Sequence, residues 1–214
     1  MAEGQGRLLA VNVVREIRPG AGRDTAIDKR PVDGQVEVGA LGINGDTQCD
    51  RRSHGGPDKA LYAYAVEDAA WWAEELGREI TPGLFGENLT TEGVDCTHAL
   101  LGERWRLGPE VLVEVRMPRS PCDNLSARMG IHGFHRQFSA SRRVGAYLAV
   151  LVPGRVAAGD LVTIEHLPSH GITIADWVGR RDPEDGRRLL ESGVELAPDV
   201  RRTALRLTRR SRHG

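Results

Sequence analysis

Two loops of this chain carry the residue types that do chemistry. In the first, residues 45–60, ten polar or charged side chains stand directly before an apolar run: Gly-Asp-Thr-Gln-Cys-Asp-Arg-Arg-Ser-His-Gly-Gly-Pro-Asp-Lys-Ala. Gly55 and Gly56 can expose successive backbone N–H groups to an anion, with Arg51, Arg52, His54 and Lys59 supplying charge around it and Asp58 beside them. That combination holds a phosphate without a helix N-terminus. A long solvated loop would have the same composition.

The second loop, Met117-Pro118-Arg119-Ser120-Pro121-Cys122, follows the clearest strand pattern in the sequence. There Val111, Val113, Val115 and Met117 alternate with Leu112, Glu114 and Arg116. Two prolines fix the backbone around Ser120 and Cys122. A cation beside a thiol favours the thiolate, the form required of a nucleophile or a metal ligand, and Arg119 is placed to do this for Cys122. A lone cysteine is otherwise a small apolar residue, the reading that fits Cys49 and Cys96. His132 and His135 have the i, i+3 spacing that sets two imidazoles on one helical face, which is half of a metal site.

Several function classes are excluded by missing signatures. The sequence has no GxGxxG, no GxxxxGK[ST] phosphate loop, no GxSxG elbow and no HExxH. Three cysteines without a CxxC pair give neither a disulfide framework nor a zinc ribbon. The formal charge is −1, but residues 201–214 hold six arginines and no acid, which leaves 23 basic against 30 acidic groups in the first 200. A net-acidic body argues against a nucleic-acid partner, and the basic tail reads first as a solvated last helix. Arginine outnumbers lysine 27 to 2, a bias that suits the base composition of a coding sequence better than a function. No apolar run approaches the roughly 20 residues of a membrane span and the first residues form no apolar signal segment. The expected address is cytoplasmic, with no membrane partner.

The elements that must position the two loops are mostly short strands. With 40% hydrophobic and 28% charged residues the chain has the apolar content of a folded protein. Apolar alternation broken by glycine and proline predicts strands at residues 7–14, 35–43, 60–66, 88–91, 103–107, 111–117, 145–151 and 161–166, and a helix at 67–77. Many short strands in one unit predict a mainly β barrel or sandwich with peripheral helices. After Leu167 the pattern changes. Pro168-Ser169-His170-Gly171 reads as a linker, and short helices follow at 173–180, 183–191 and 198–209, the first with a Thr173/Asp176 cap and the second with Asp182 as N-cap. The chain thus divides into a barrel domain, 1–167, and a three-helix segment with a basic tail, 168–214.

Five strings together, His54-Gly55-Gly56-Pro57-Asp58-Lys59-Ala60, Phe85-Gly86-Glu87-Asn88-Leu89, Leu101-Gly102, Pro118-Arg119-Ser120-Pro121-Cys122 and Gly145-Ala146-Tyr147 through Pro153-Gly154, resemble the MOSC domain family. The family is named for molybdenum cofactor sulfurase C-terminal domains, and the order and spacing look like its stand-alone bacterial branch of the hydroxylaminopurine-resistance type. The resemblance covers essentially the whole chain and implies a MOSC-type β-barrel. It also implies binding of the molybdenum cofactor (molybdopterin), with Cys122 as thiolate ligand to the metal and as the catalytic centre. The cofactor's phosphate would lie against residues 51–59, including Arg51, His54, Gly55, Gly56, Asp58 and Lys59, while Asn88, Arg119 and Ser120 address the pterin. The implied activity is reduction of small N-hydroxylated compounds, hydroxylamino bases and amidoximes, fed by an external flavoprotein or ferredoxin-type reductase.

Two other readings stay open at this level. Cys122 could carry a persulfide and deliver sulfur to a metal centre, since MOSC domains also occur fused to cysteine-desulfurase-like modules. Pyridoxal phosphate on Lys59 is chemically possible but has no distinctive partner for its ring. The segment 168–210 is expected to lie outside the active site, as a docking element for an acidic reductase, a cover for the barrel or a homodimer contact.

Overall fold

Apolar alternation does produce strands, and a computed structural model describes them over residues 5–20, 24–47, 49, 55–179 and 182–210. Eleven strands occur among the described residues. They are β1 Gln5–Pro19, β2 Asp24–Pro31, β3 Val36–Gly39, β4 Gly42–Ile43, β5 Leu61–Ala65, β6 Leu89–Glu92, β7 Arg104–Leu107, β8 Val111–Pro118, β9 Ala146–Val152, β10 Gly154–Val156 and β11 Leu161–His166. The helices are α1 Val66–Leu76, α2 Asp123–Met129, α3 Phe134–Ala140, α4 Ile174–Gly179, α5 Pro183–Glu191 and α6 Pro198–Arg210.

Seven strands close into a barrel in the order β11-β7-β8-β9-β5-β6-β1, because β1 pairs with β11 as well as with β6. Closure removes the unpaired edges that an open sheet would leave. Among the described strands only β5 and β6 pair in parallel. β1 is long enough to serve twice: residues 5–11 belong to the barrel, and from Asn12 onward the strand leaves it as a two-stranded ribbon with β2. Register shifts at Leu8/Ala10 and Val14/Glu16 bend it between the two tasks. β3, β4 and β10 form a small separate sheet.

The inward face of β8 is Val111, Val113 and Val115, all fully buried. A second part of the core is aromatic. Trp72 of α1 stacks on Phe138 with centroids 5.6 Å apart, and Tyr64, Phe85 and Phe134 complete the group, so the Trp71–Trp72 pair is packing. Ile172, Ile174, Ala197, Val200 and Ala204 from the C-terminal segment join the same buried cluster as the barrel residues. The outward face of β8 is therefore covered too, and Glu114 and Arg116, which alternation alone would send to solvent, are buried.

The strands missed by alternation have physical reasons. β2, Asp-Thr-Ala-Ile-Asp-Lys-Arg-Pro, contains few apolar residues because it pairs with the ribbon half of β1 outside the barrel. α2 and α3 have seven residues each, too short to show a helical period, and Gly130 with φ 66° closes the first of them. Both predicted caps are present: Thr173 and Asp176 bond reciprocally, and Asp182 accepts from the Glu184 N–H at 2.9 Å.

His170 joins the C-terminal segment to the barrel. It is 5% exposed, with Nε2 2.7 Å from the Leu101 carbonyl, and its Nδ1 accepts from the Ile172 N–H at 2.9 Å. Nδ1 can accept only in the neutral ring, with the proton on Nε2, so the two bonds are made together only by that form. Burial, with the Arg188 cation behind it, lowers its pKa below the ordinary value near 6.5. The unfolded chain therefore binds the proton first as pH falls, so the contribution of His170 is complete above about pH 6.5 and is lost below it. His170→Gln keeps a neutral donor and acceptor. The melting-temperature gap between it and the unchanged protein should narrow from pH 7.5 to pH 5, as followed by circular dichroism.

Candidate active site

One cleft collects Cys122, Arg119, Lys59 and Asn88, four residues that lie up to 63 positions apart in the chain. Its cavity volume is about 90 Å³, and it is partly open to solvent.

The first wall is the loop between β8 and α2. Pro118 lies opposite Ala146 and Met117 opposite Tyr147, and the Arg119 N–H donates to the Gly145 carbonyl at 3.3 Å. Gly145 has φ 69°, and a Cβ there would lie 2.5 Å from the Ala63 carbonyl oxygen, so this close approach requires glycine. Cys122 follows in extended backbone, half-buried, immediately before α2. The opposite wall is β2, through Thr25 and Ile27. Arg128 of α2 reaches Asp28 of β2 at 2.6 Å and ties the two walls together.

Arg119 lines the same cleft as Cys122 and is 6% exposed. Its guanidinium carbon lies 5.2 Å from the Tyr62 ring centre and 5.8 Å from that of Phe138, a cation–π arrangement. Its Nη1 is buried with no hydrogen-bond partner among the described residues. An unsatisfied charged donor is costly, and an anion in the cleft would remove the cost.

Lys29 was not singled out by the sequence, yet it lines the same cleft. Its ammonium pairs with Asp46, whose carboxylate also accepts from the Val14 N–H and the Asn88 amide, both at 2.8 Å. Burial lowers the Lys29 pKa and the Asp46 charge works against that shift. A signal was available: Lys29 and Lys59 are the only lysines in an arginine-rich chain, and both line this cleft. Tyr62 and Tyr147 were missed as well, because in sequence they read as ordinary strand residues. Burial raises the pKa of both phenols.

Several expected roles change. Asn88 lines the cleft, but its amide N–H groups go to the Asn12 carbonyl and Asp46 while its oxygen accepts from the Tyr62 N–H. It braces strands and has no donor left for a pterin. Gly55 and Gly56 do not line the cleft; Gly56, with φ 93°, turns the chain into the short 3-10 turn Pro57–Lys59 that delivers Lys59. Asp58 faces away from the cleft and meets Arg116 at 2.9 Å. Ser120 is exposed in a depression on the far side of its loop, beside Trp177 and Arg202. Arg51 and His54 lie outside the described residues.

Cys49 departs from its expected bland role, since it lines the cleft; burial and then the Asp24 charge raise its thiol pKa. Cys96 is an interior residue with its pKa raised by burial. His132 and His135 do not share a helix: Gly133 separates exposed His132 from α3, and His135 bonds Ser126. Among the described residues no three His, Cys, Asp or Glu side chains are grouped to hold a metal ion. The C-terminal segment does not line the cleft, but it touches one residue that does: Asp199 of α6, which lines the depression beside Ser120, lies 3.6 Å from the Lys59 ammonium.

The family model of the MOSC domain matches residues 50–163, the stretch that carries Lys59, Asn88, Arg119 and Cys122. The chain belongs to the MOSC domain family. This MOSC protein is 37% identical over 141 residues to YiiM of Escherichia coli, an alignment covering 64% of the chain and 62% of that relative. The matched stretch thus spans less than two thirds of the relative's length. It is 33% identical over 166 residues to YflK of Bacillus subtilis, covering 78% of the chain and 74% of YflK. A Gibberella moniliformis protein named as a reductase is 31% identical over 147 residues, which are 67% of this chain and 26% of that one. Among solved structures, YiiM from Geobacillus stearothermophilus superposes with a TM-score of 0.78 at 26% identity, covering 94% of this chain and 98% of that one.

The Arg119 geometry yields a test. Arg119→Met keeps much of the apolar volume but removes the unpartnered cation. Calorimetric titration with inorganic phosphate should show affinity weakened by about tenfold or more, while the melting temperature holds or rises because a buried unpaired charge has gone. Unchanged phosphate affinity with a lower melting temperature would make Arg119 a structural residue.

Proposed function

We propose that this MOSC protein is a molybdenum-cofactor-dependent reductase of N-hydroxylated compounds, converting hydroxylamino bases and amidoximes to amines and amidines. The overall change for a hydroxylamine is R–NHOH with two electrons and two protons giving R–NH2 and water. The reading rests on one observation: a half-buried thiol shares a cleft with three cationic side chains, one of which has a buried N–H without a partner among the described residues.

The residues present fit the group that MOSC domains are associated with. A thiolate at Cys122 is the soft donor that molybdenum favours. Lys59 and Arg119 would take the cofactor's phosphate, Lys59 as a movable point charge and Arg119 as a planar fork. When bound, the cofactor supplies a two-electron reduction that removes oxygen from the substrate. The chain's own residues hold and shield. Tyr62 and Tyr147 are phenols, protonated at neutral pH, and burial raises their pKa further, so they add no negative charge beside an anionic cofactor. Their rings and Ile27 give the cleft an apolar surface that limits water around the N–O bond. The two electrons come, on this reading, from an outside donor of flavoprotein or ferredoxin type.

Cys49 is the one observation that favours a second reading, a persulfide carrier on Cys122, because it sets another thiol at the same cleft. Molybdenum content separates the two readings, since the reductase requires one metal per chain. Cys122→Ser should retain the fold and the melting temperature but lose bound molybdenum and reduce N-hydroxy turnover by at least about 100-fold, measured with an artificial electron donor. A serine variant that keeps metal and turnover would remove Cys122 from the ligand role.

A further inference from the structure

Lys59 reaches the cleft from a turn of three residues, and that turn is held from outside the cleft. Asp58 lies 2.9 Å from Arg116 Nε. Arg116 sits on the outward face of β8, is 7% exposed, and donates through Nη1 to Glu114 at 2.7 Å and to the Glu195 carbonyl; its Nη2 lies 3.3 Å from the Glu195 carboxylate. The Lys59 ammonium lies 3.6 Å from Asp199 on α6. Residues 58 and 59 are thus referred at two points to residues 195 and 199.

A buried guanidinium has few alternatives to these partners, because removing one leaves charge unpaired in a low-dielectric setting. Arg116 also stands two residues before Pro118, where the Cys122 loop begins. One side chain therefore sets the Lys59 turn against the strand that delivers Cys122, and the C-terminal segment closes over the arrangement.

We infer that Arg116, clasped by the C-terminal segment, is a positioning residue for the anion subsite, and that it acts through Asp58 to fix where Lys59 stands in the cleft. The inference rests on the reading of that cleft as an anion site. It gives the segment 168–210 a part in ligand binding that neither a barrel cover nor a docking element would have.

The test compares removal of two partners of Arg116. Asp58→Asn breaks the hold on the turn and leaves Arg116 paired with Glu114 and Glu195. Glu114→Gln weakens Arg116 on the strand side without touching the turn. Titration with inorganic phosphate should show Asp58→Asn weakened about fivefold with a small change in melting temperature. Glu114→Gln should lower the melting temperature and leave phosphate affinity within about twofold. Because Asp58 acts through Lys59, adding Asp58→Asn to Lys59→Met should cost no further affinity, whereas independent contributions would add. Affinity unchanged in Asp58→Asn, or additive losses in the double variant, overturns the inference and leaves the cleft reading intact. If the unchanged protein binds no phosphate, or Lys59→Met binds as well as it does, the anion site fails and the inference with it.

Discussion

Charge carried into a low-dielectric interior must be paired or held in its neutral form, and this barrel carries a good deal of charge inward around its cleft. Lys29 pairs with Asp46, Asp28 with Arg128, Asp68 with Arg143, and Arg116 with Glu114 and Asp58. Apart from Arg116 with Glu114, which share β8, each pair joins segments far apart in the chain. Asp28 and Arg128 join the ribbon to the helix behind Cys122, and Asp46 holds β1, Lys29 and Asn88 at once. Arg119 departs from this pattern. It has two aromatic faces and a buried Nη1 with no hydrogen-bond partner among the described residues.

That departure has the form expected of a binding site. A fold maximised for stability would pair Arg119 or replace it with an apolar residue; keeping a cation there stores a cost that binding of an anion repays. Preorganisation follows from the same geometry. The guanidinium is fixed by Tyr62 and Phe138 before any ligand arrives, so little side-chain entropy remains to be lost on binding.

The barrel's closure decides which loops can cooperate. β1 contributes to the barrel with one half and to the ribbon wall with the other, while β8 and β9 run side by side into the Cys122 loop. The C-terminal segment is continuous with this core, since its isoleucines and valine share the buried cluster and Asp199 reaches Lys59. A division at residue 167 describes the change in sequence pattern well, but the packing and the ion pairs run across it.

The sequence by itself determined most of the strands, the caps at Thr173 and Asp182, and the two loops that carry Lys59, Arg119 and Cys122. These are local properties: alternation follows from the two-residue period of a strand, and proline and glycine punctuate it. It also marks its two lysines as the exceptions in an arginine-rich chain. The tertiary structure alone decided which charged and polar residues face the cleft. The family resemblance implies that Asn88 and Asp58 contact a ligand, yet their partners are Asp46 and Arg116, 42 and 58 positions away. Lys29 lies in a strand with too few apolar residues to show alternation, and becomes part of the site only because β2 folds back as a wall. Pairing of buried charge depends on distances in space, and those distances are fixed by barrel closure, which no local pattern encodes.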